Sequence, residues 1–296
     1  MRAAAETLRI DVGGGAELGV VRWHGDPGTP VAFALHGITA NAWSWAAVAR
    51  HLDGEVGLVG IDLRGRGLSH ATGAPFGMRR HADDVAAIID RLSAAPAVVA
   101  GHSMGAYVAL ACAERHPASV GDLVLVDGGI PLPLPEGLEP QEALDALIGP
   151  ALERLRRVWP DRVSYQAMWH EHPAFTETGM TPEIDRYVLS DLVESDDGFV
   201  SCVNEAAIRF DGGELLVDDE VRGLLERRSQ PAIIVRAETG IMATPPPLIP
   251  TEWLDRLPHH DWRTITGTNH YSVLIGESGA AAVAQALRDT TARVST

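Results

Sequence analysis

The chain has 296 residues, 46 % of them hydrophobic, which is enough to bury one large core and argues against global disorder. Forty acidic residues stand against 24 basic ones, a formal net charge of −16. A nucleic-acid partner needs Lys/Arg neutralisation of its phosphates, so this balance argues against one and disfavours a polyanionic substrate.

The N-terminal stretch MRAAAETLRIDVGGG has no apolar leader core. LRIDV (8–12) and LGVVRWH (18–24) read as strands joined by a GGG turn, an N-terminal hairpin. VAFALHG (31–37) is a continuous apolar run, the pattern of a strand buried on both faces. A helix is predicted from near Ser44, then a strand over VGLVGID (56–62) and a helix over MRRHADDVAAIIDRLSA (78–94). AVVAGHS (97–103) is the next strand, followed by a helix over 104–116 and a strand over DLVLVDG (122–128). Strands alternating with helices imply a parallel sheet covered on both faces.

Near residue 130 the pattern changes. IPLPLPEGLEP is too proline-rich for regular helix or central strand. From 141 to about 228 the apolar spacing is helical throughout, with no strand expected. The alternation then resumes with PAIIVRAE (231–238) as strand, TEWLDRL (251–257) as helix, DWRTITG (261–267) as strand and a helix through 280–289. The expectation is a discontinuous body, 1–130 with 229–296, interrupted by a helical cap over 131–228. Residues 131–135 and the pair Gly212–Gly213 read as hinge or turn elements.

The two cysteines, Cys112 and Cys202, have neither CxxC nor metal-ligand spacing and read as free thiols. No apolar run approaches the roughly 20 residues that span a bilayer. The expectation is a soluble cytoplasmic protein with no membrane association, and the sequence is compatible with a homo-oligomer.

GHSMG (101–105) fits G-x-S-x-G between an apolar strand and a helix. That context is the setting of a nucleophile elbow, in which a sharp turn exposes the Ser103 hydroxyl at the end of the sheet. Side chains two residues to either side would collide, hence Gly101 and Gly105. A serine hydroxyl needs a base. Of twelve histidines, His270 stands in TGTNHYSV, after the last strand and before the last helix, where the base belongs in the chain order Ser…acid…His. Its orienting acid can come from Asp127, at the end of LVLVD, or from the loop after PAIIVRAE. One oxyanion donor is expected from the main-chain N–H of Met104, the residue after the nucleophile.

With LHGITANAWSW (35–45), IDLRGRGLS (61–69), GHSMGA (101–106), LVLVDGG (123–129) and NHYSV (269–273), the chain resembles the capped α/β-hydrolases. The resemblance implies a mostly parallel eight-stranded sheet flanked by helices, with an inserted helical cap. Members usually carry the acid as Gly-x-x-Asp after the strand that follows the cap. Here that stretch is VRAETG (235–240), with Ala237 for the glycine and Gly240 at the acid position. Certain dehalogenases and resorcylic-lactone hydrolases place the acid after the preceding strand, where this chain has Asp127. Asp127 is therefore the expected acid and Glu238 the alternative.

The resemblance also makes the Ile38 N–H the second oxyanion donor, His36 a structural residue of that loop and DLRGRGLS a structural turn near the site. The latter does not match a nucleotide-binding fingerprint. His170 and His172 lack a compatible ligand set, so no metal and no cofactor is expected. Trp43, Trp45, Met104, Tyr107, Tyr165, Met168 and Trp169 are candidate walls for an apolar substrate.

A serine at the elbow argues against the haloalkane dehalogenases and epoxide hydrolases of the family, which use Asp. The expected function is a serine hydrolase acting on a small-molecule ester or lactone through an acyl-enzyme. Carbon–carbon bond hydrolases and thioesterases share the same groups. A small-ligand receptor with a slow hydrolase site is the alternative of another class.

Overall fold

In the strand Val31–Leu35, Phe33 and Leu35 pack to one side of the sheet and Ala32 and Ala34 to the other. The same alternation recurs where Leu123 and Leu125 face one layer and Val124 and Val126 the opposite one. Every residue of this kind is buried, so these strands carry apolar side chains on both faces. The computed structural model describes residues 5–92, 94–132, 137, 139–176 and 178–294.

The strands are β1 (Glu6–Gly13), β2 (Ala16–Trp23), β3 (Val31–Leu35), β4 (Gly57–Ile61), β5 (Ala97–His102), β6 (Val120–Val126), β7 (Leu192–Ser195), β8 (Gly198–Ser201), β9 (Ile233–Ala237) and β10 (Asp261–Ile265). Eight of them form one sheet in the order β1-β2-β4-β3-β5-β6-β9-β10. The pairs β1/β2 and β2/β4 are antiparallel and all other pairs in the sheet parallel. Helices Met78–Arg91 and Met104–Arg115 cover one face, and Ala46–Leu52 and Glu277–Val294 the other.

From β3 the chain runs to β4 on one side and later returns through β5 on the other. The strand order therefore reverses between β3 and β5. A crevice opens at the carboxyl ends of the strands at such a switch point, and the loops after β3 and β5 both empty into it.

The segment between β6 and β9 holds helices Pro140–Arg156, Arg162–Glu171, Pro182–Leu189 and Glu205–Val217. It also holds the antiparallel hairpin β7–β8, which corrects the expectation of helix alone. The hairpin is too short for its apolar period to stand out. Its turn, Asp196–Asp197 followed by Gly198 at φ +137°, was the local signal. Gly212 and Gly213 lie inside helix Glu205–Val217 and not in a turn. Of the proline-rich entry, residues 133–135 lie outside the described residues. Val221, Leu224 and Leu225 pack with the core of the body, as does Leu215 of helix Glu205–Val217.

Candidate active site

The turn from β5 into helix Met104–Arg115 is set by steric fit. Ser103 has φ +55° and ψ −120°, a left-handed conformation that a non-glycine residue adopts only when its surroundings impose it. A Cβ on Gly101 would collide with the Gly105 main chain, one on Gly105 with the Leu35 carbonyl, and one on Gly128 with Ser103 itself. Gly105→Ala is expected to destabilise the fold by roughly 1–3 kcal/mol, because the obstructing atoms are backbone and cannot rotate away. A lower urea midpoint at unchanged m-value checks this.

Three side chains meet at the turn. Ser103 Oγ lies 3.1 Å from His270 Nε2. His270 Nδ1 lies 2.7 Å from Asp127 Oδ2. The other carboxylate oxygen, Asp127 Oδ1, accepts the Ala237 N–H at 3.1 Å, which fixes the plane of the carboxylate against β9. Asp127 is fully buried and His270 nearly so. With a carboxylate at Nδ1, the proton of neutral His270 resides on Nδ1 and leaves Nε2 as acceptor for the Ser103 hydroxyl. Glu238 is exposed and turned elsewhere: its carboxylate accepts the Gly267 N–H at 2.8 Å, linking the loops after β9 and β10.

His270 is held from both sides. The Asn269 side chain accepts the N–H groups of Tyr271 and Ser272 at 2.9 Å and donates to the Ala174 carbonyl of the cap at 3.0 Å. His102 Nε2 donates to the His270 carbonyl at 2.8 Å, with the two rings 4.7 Å apart. Burial, reinforced by the neighbouring His270, pushes the His102 pKa down to about 3, so this ring stays neutral.

The loop after β3 faces the same point. Burial also drives His36 down to about 3. Its Nε2 accepts the Leu63 N–H at 3.0 Å, so its Nδ1 carries the proton and donates to the Gly37 carbonyl at 2.7 Å. A trans peptide sets C=O and N–H in opposite directions, so holding Gly37 O aims the Ile38 N–H the other way. Neither the Ile38 N–H nor the Met104 N–H bonds another described residue.

A cavity of about 130 Å³ lies over Ser103. Among the described residues, no group of three or more His, Cys, Asp or Glu side chains could hold a metal ion, and no helix is long and apolar enough to cross a membrane.

Residues 33–175 match the alpha/beta hydrolase fold family. The chain belongs to the α/β-hydrolase fold family. Among curated proteins, this α/β-hydrolase is similar to the lipase LipV of Mycobacterium tuberculosis, 33 % identical over 43 % of this chain and 47 % of that one. It is also similar to the 2-(acetamidomethylene)succinate hydrolase of Mesorhizobium japonicum, 32 % identical over 33 % of this chain and 35 % of that protein. The matched stretches thus span less than half the length of these relatives. A crystal structure of E-2-(acetamidomethylene)succinate hydrolase superposes with a TM-score of 0.79 at 22 % identity, covering 96 % of this chain and 99 % of that one, a likeness of fold.

The cavity of this α/β-hydrolase is lined differently from the sequence-based expectation. None of Trp43, Trp45, Met104, Tyr107, Tyr165, Met168 and Trp169 lines it. Trp43 packs edge-on against Trp23 at 5.7 Å, with the Arg186 guanidinium over its ring at 4.4 Å. Trp45 is buried in the core, and Met104 contributes its main chain to the turn while its side chain is buried beneath. The Tyr107 hydroxyl donates to the Ile130 carbonyl inside the body. Tyr165 and Trp169 are buried with Trp159 and Phe175 in a cluster continuous with the core on one face of the sheet, Met168 packs against that cluster, and the Tyr165 hydroxyl meets Asp191. An apolar helical face shows in the sequence, but which of two apolar neighbours it covers does not. The lining residues that sequence reasoning missed include Tyr187, from helix Pro182–Leu189, and Tyr271, next to His270 in NHYSV. Adjacency to the expected base was a usable signal for Tyr271. Tyr187 left none.

Proposed function

We propose that this protein is a serine hydrolase that cleaves an uncharged carboxylic ester or lactone through an acyl-enzyme. The observation that carries this reading is the continuous hydrogen-bond chain from Ser103 Oγ through His270 to the buried Asp127. Ser103 Oγ attacks the carbonyl carbon while His270 Nε2 takes its proton. Asp127 keeps His270 in the accepting tautomer and stabilises the imidazolium. The Ile38 and Met104 N–H groups receive the oxyanion. Collapse of the tetrahedral intermediate expels the alcohol, which takes the proton back from His270. Water, activated by the same histidine, then releases the acid.

The substrate class follows from the cavity lining. Ile38, Ala40, Leu215, Ile241, Leu248 and Leu274 supply apolar wall, while Thr39, Ser44, Tyr187 and Tyr271 supply neutral polar groups. Among the described residues that line it, none is Arg or Lys. At about 130 Å³ the space is close to that of a cavity that accepts a benzene ring. A small neutral acyl group suits it, as for an esterase or lipase. A succinate-type substrate brings carboxylates that would find no cation among the described lining residues.

The test is a panel of chromogenic esters of increasing chain length, a lactone series and a succinyl half-ester, with wild type beside Ser103→Ala. Sustained turnover of short neutral esters is expected. The charged ester should be slower by on the order of 10²-fold, since an unpaired buried carboxylate costs several kcal/mol. Equal rates on the half-ester would sink the neutral-substrate assignment. If wild type turns over no ester or lactone, carbon–carbon bond hydrolysis or ligand reception replaces the ester reading.

A further inference from the structure

The Arg66 side chain is wholly buried beneath the crevice, and the reaction scheme above leaves it without a role. Its Nε donates to the Ile38 carbonyl at 3.0 Å, and its Nη2 lies 3.9 Å from Met104 Sδ. One guanidinium therefore touches both residues whose main-chain N–H groups face the oxyanion position. Its Nη1 donates to the Arg64 carbonyl at 2.8 Å and pairs with Asp211 Oδ2 at 2.6 Å.

Asp211 belongs to helix Glu205–Val217 of the cap and is equally buried. It also accepts the Gly77 N–H at 2.8 Å and meets His81 Nε2 at 3.0 Å. Burial opposes its ionisation, but Arg66 and His81 outweigh that and hold its pKa down to about 2. Beside it, a Cβ on Gly212 would sit 2.6 Å from Leu144 Cδ1 of the neighbouring cap helix and 3.3 Å from Ile38 Cδ1, so the helix lies against both.

We propose that Arg66, held by Asp211 of the cap, is the positioning residue of the oxyanion loop, so that cap docking and oxyanion-hole geometry depend on one buried ion pair. The proposal rests on the serine-hydrolase reading for its catalytic consequence. The geometry complements that of His36. His36 holds the carbonyl before the Ile38 N–H, and Arg66 holds the carbonyl after it, so both peptide groups flanking Ile38 are fixed. A buried guanidinium without its carboxylate is strongly unfavourable, so the cap helix cannot withdraw Asp211 without releasing the loop.

The experiment uses the full chain with Arg66→Met, Asp211→Asn and the charge-balanced double variant, each checked by thermal melting. Two readouts are taken: amide hydrogen exchange over residues 37–40, and the second-order rate of Ser103 phosphonylation by a small fluorophosphonate. The latter needs a nucleophile and an oxyanion hole but no particular substrate. The single variants should exchange faster over 37–40 and react more slowly by on the order of 10²-fold, the loss typical of one oxyanion donor. The double variant should regain melting temperature while remaining slow, because balancing the charge does not restore the bond to Ile38. Recovery of both properties in the double variant would reduce the pair to a structural role and overturn the proposal. So would a folded Arg66→Met protein with wild-type exchange and labelling. If wild type itself does not label, the serine-hydrolase reading fails, and the exchange pattern alone decides whether Arg66 positions the loop.

Discussion

Replacing Ser103 by alanine is expected to lower kcat by about 10⁶, on the scale found when a triad nucleophile is removed. That is about 8 kcal/mol of transition-state stabilisation. The loss is large because three features act only through this oxygen. The elbow holds Oγ at the end of β5, His270 Nε2 lies 3.1 Å away to take its proton, and the two N–H groups face the oxygen that its attack would create. Removing one hydroxyl leaves the main chain of the elbow unchanged, so the urea midpoint should move little. Steady-state hydrolysis of the best ester from the panel, with active-site titration to exclude wild-type carry-over, measures the effect. A variant that keeps near-wild-type turnover would show that the chemistry does not pass through Ser103.

Asp127→Asn is expected to cost about 10⁴ in kcat with little change in KM. The asparagine amide can donate to His270 Nδ1, which then holds the proton on Nε2 and leaves nothing to accept from Ser103. Retention of the Ala237 N–H bond by the asparagine oxygen should keep the loop in place. Glu238→Gln is the internal control. Its carboxylate bonds Gly267 rather than His270, so the change should alter kcat by less than about threefold, because an exposed, non-contacting substitution costs little. If the two variants exchange these outcomes, Glu238 is the acid and the Asp127 contact is structural.

The body of the fold was largely legible because its signals are local. VAFAL, GLVGI, AVVAGH and IIVRA are short apolar runs of the kind that strands covered on both sides make, and the intervening segments have helical spacing. The cap was legible only in outline. LVESDDGFVS folds as a hairpin although its surroundings read as helix, because four-residue strands leave too little period to detect.

The sequence by itself determined the alternating sheet and the position of the elbow, since glycines at 101 and 105 around Ser103 are a steric requirement of adjacent residues. It also narrowed the acid to Asp127 or Glu238. Which carboxylate reaches His270 was decided only by the tertiary structure. The contact spans 143 residues of chain, and its geometry depends on β9 lying beside β6 so that Ala237 can orient Asp127. The same holds for the cavity walls, where Tyr165 and Trp169 pack against Trp159 and Phe175 while Tyr187 and Tyr271 line the cavity over Ser103. It holds again for Arg66 and Asp211, whose charges are tolerable in the interior only because folding brings the two together.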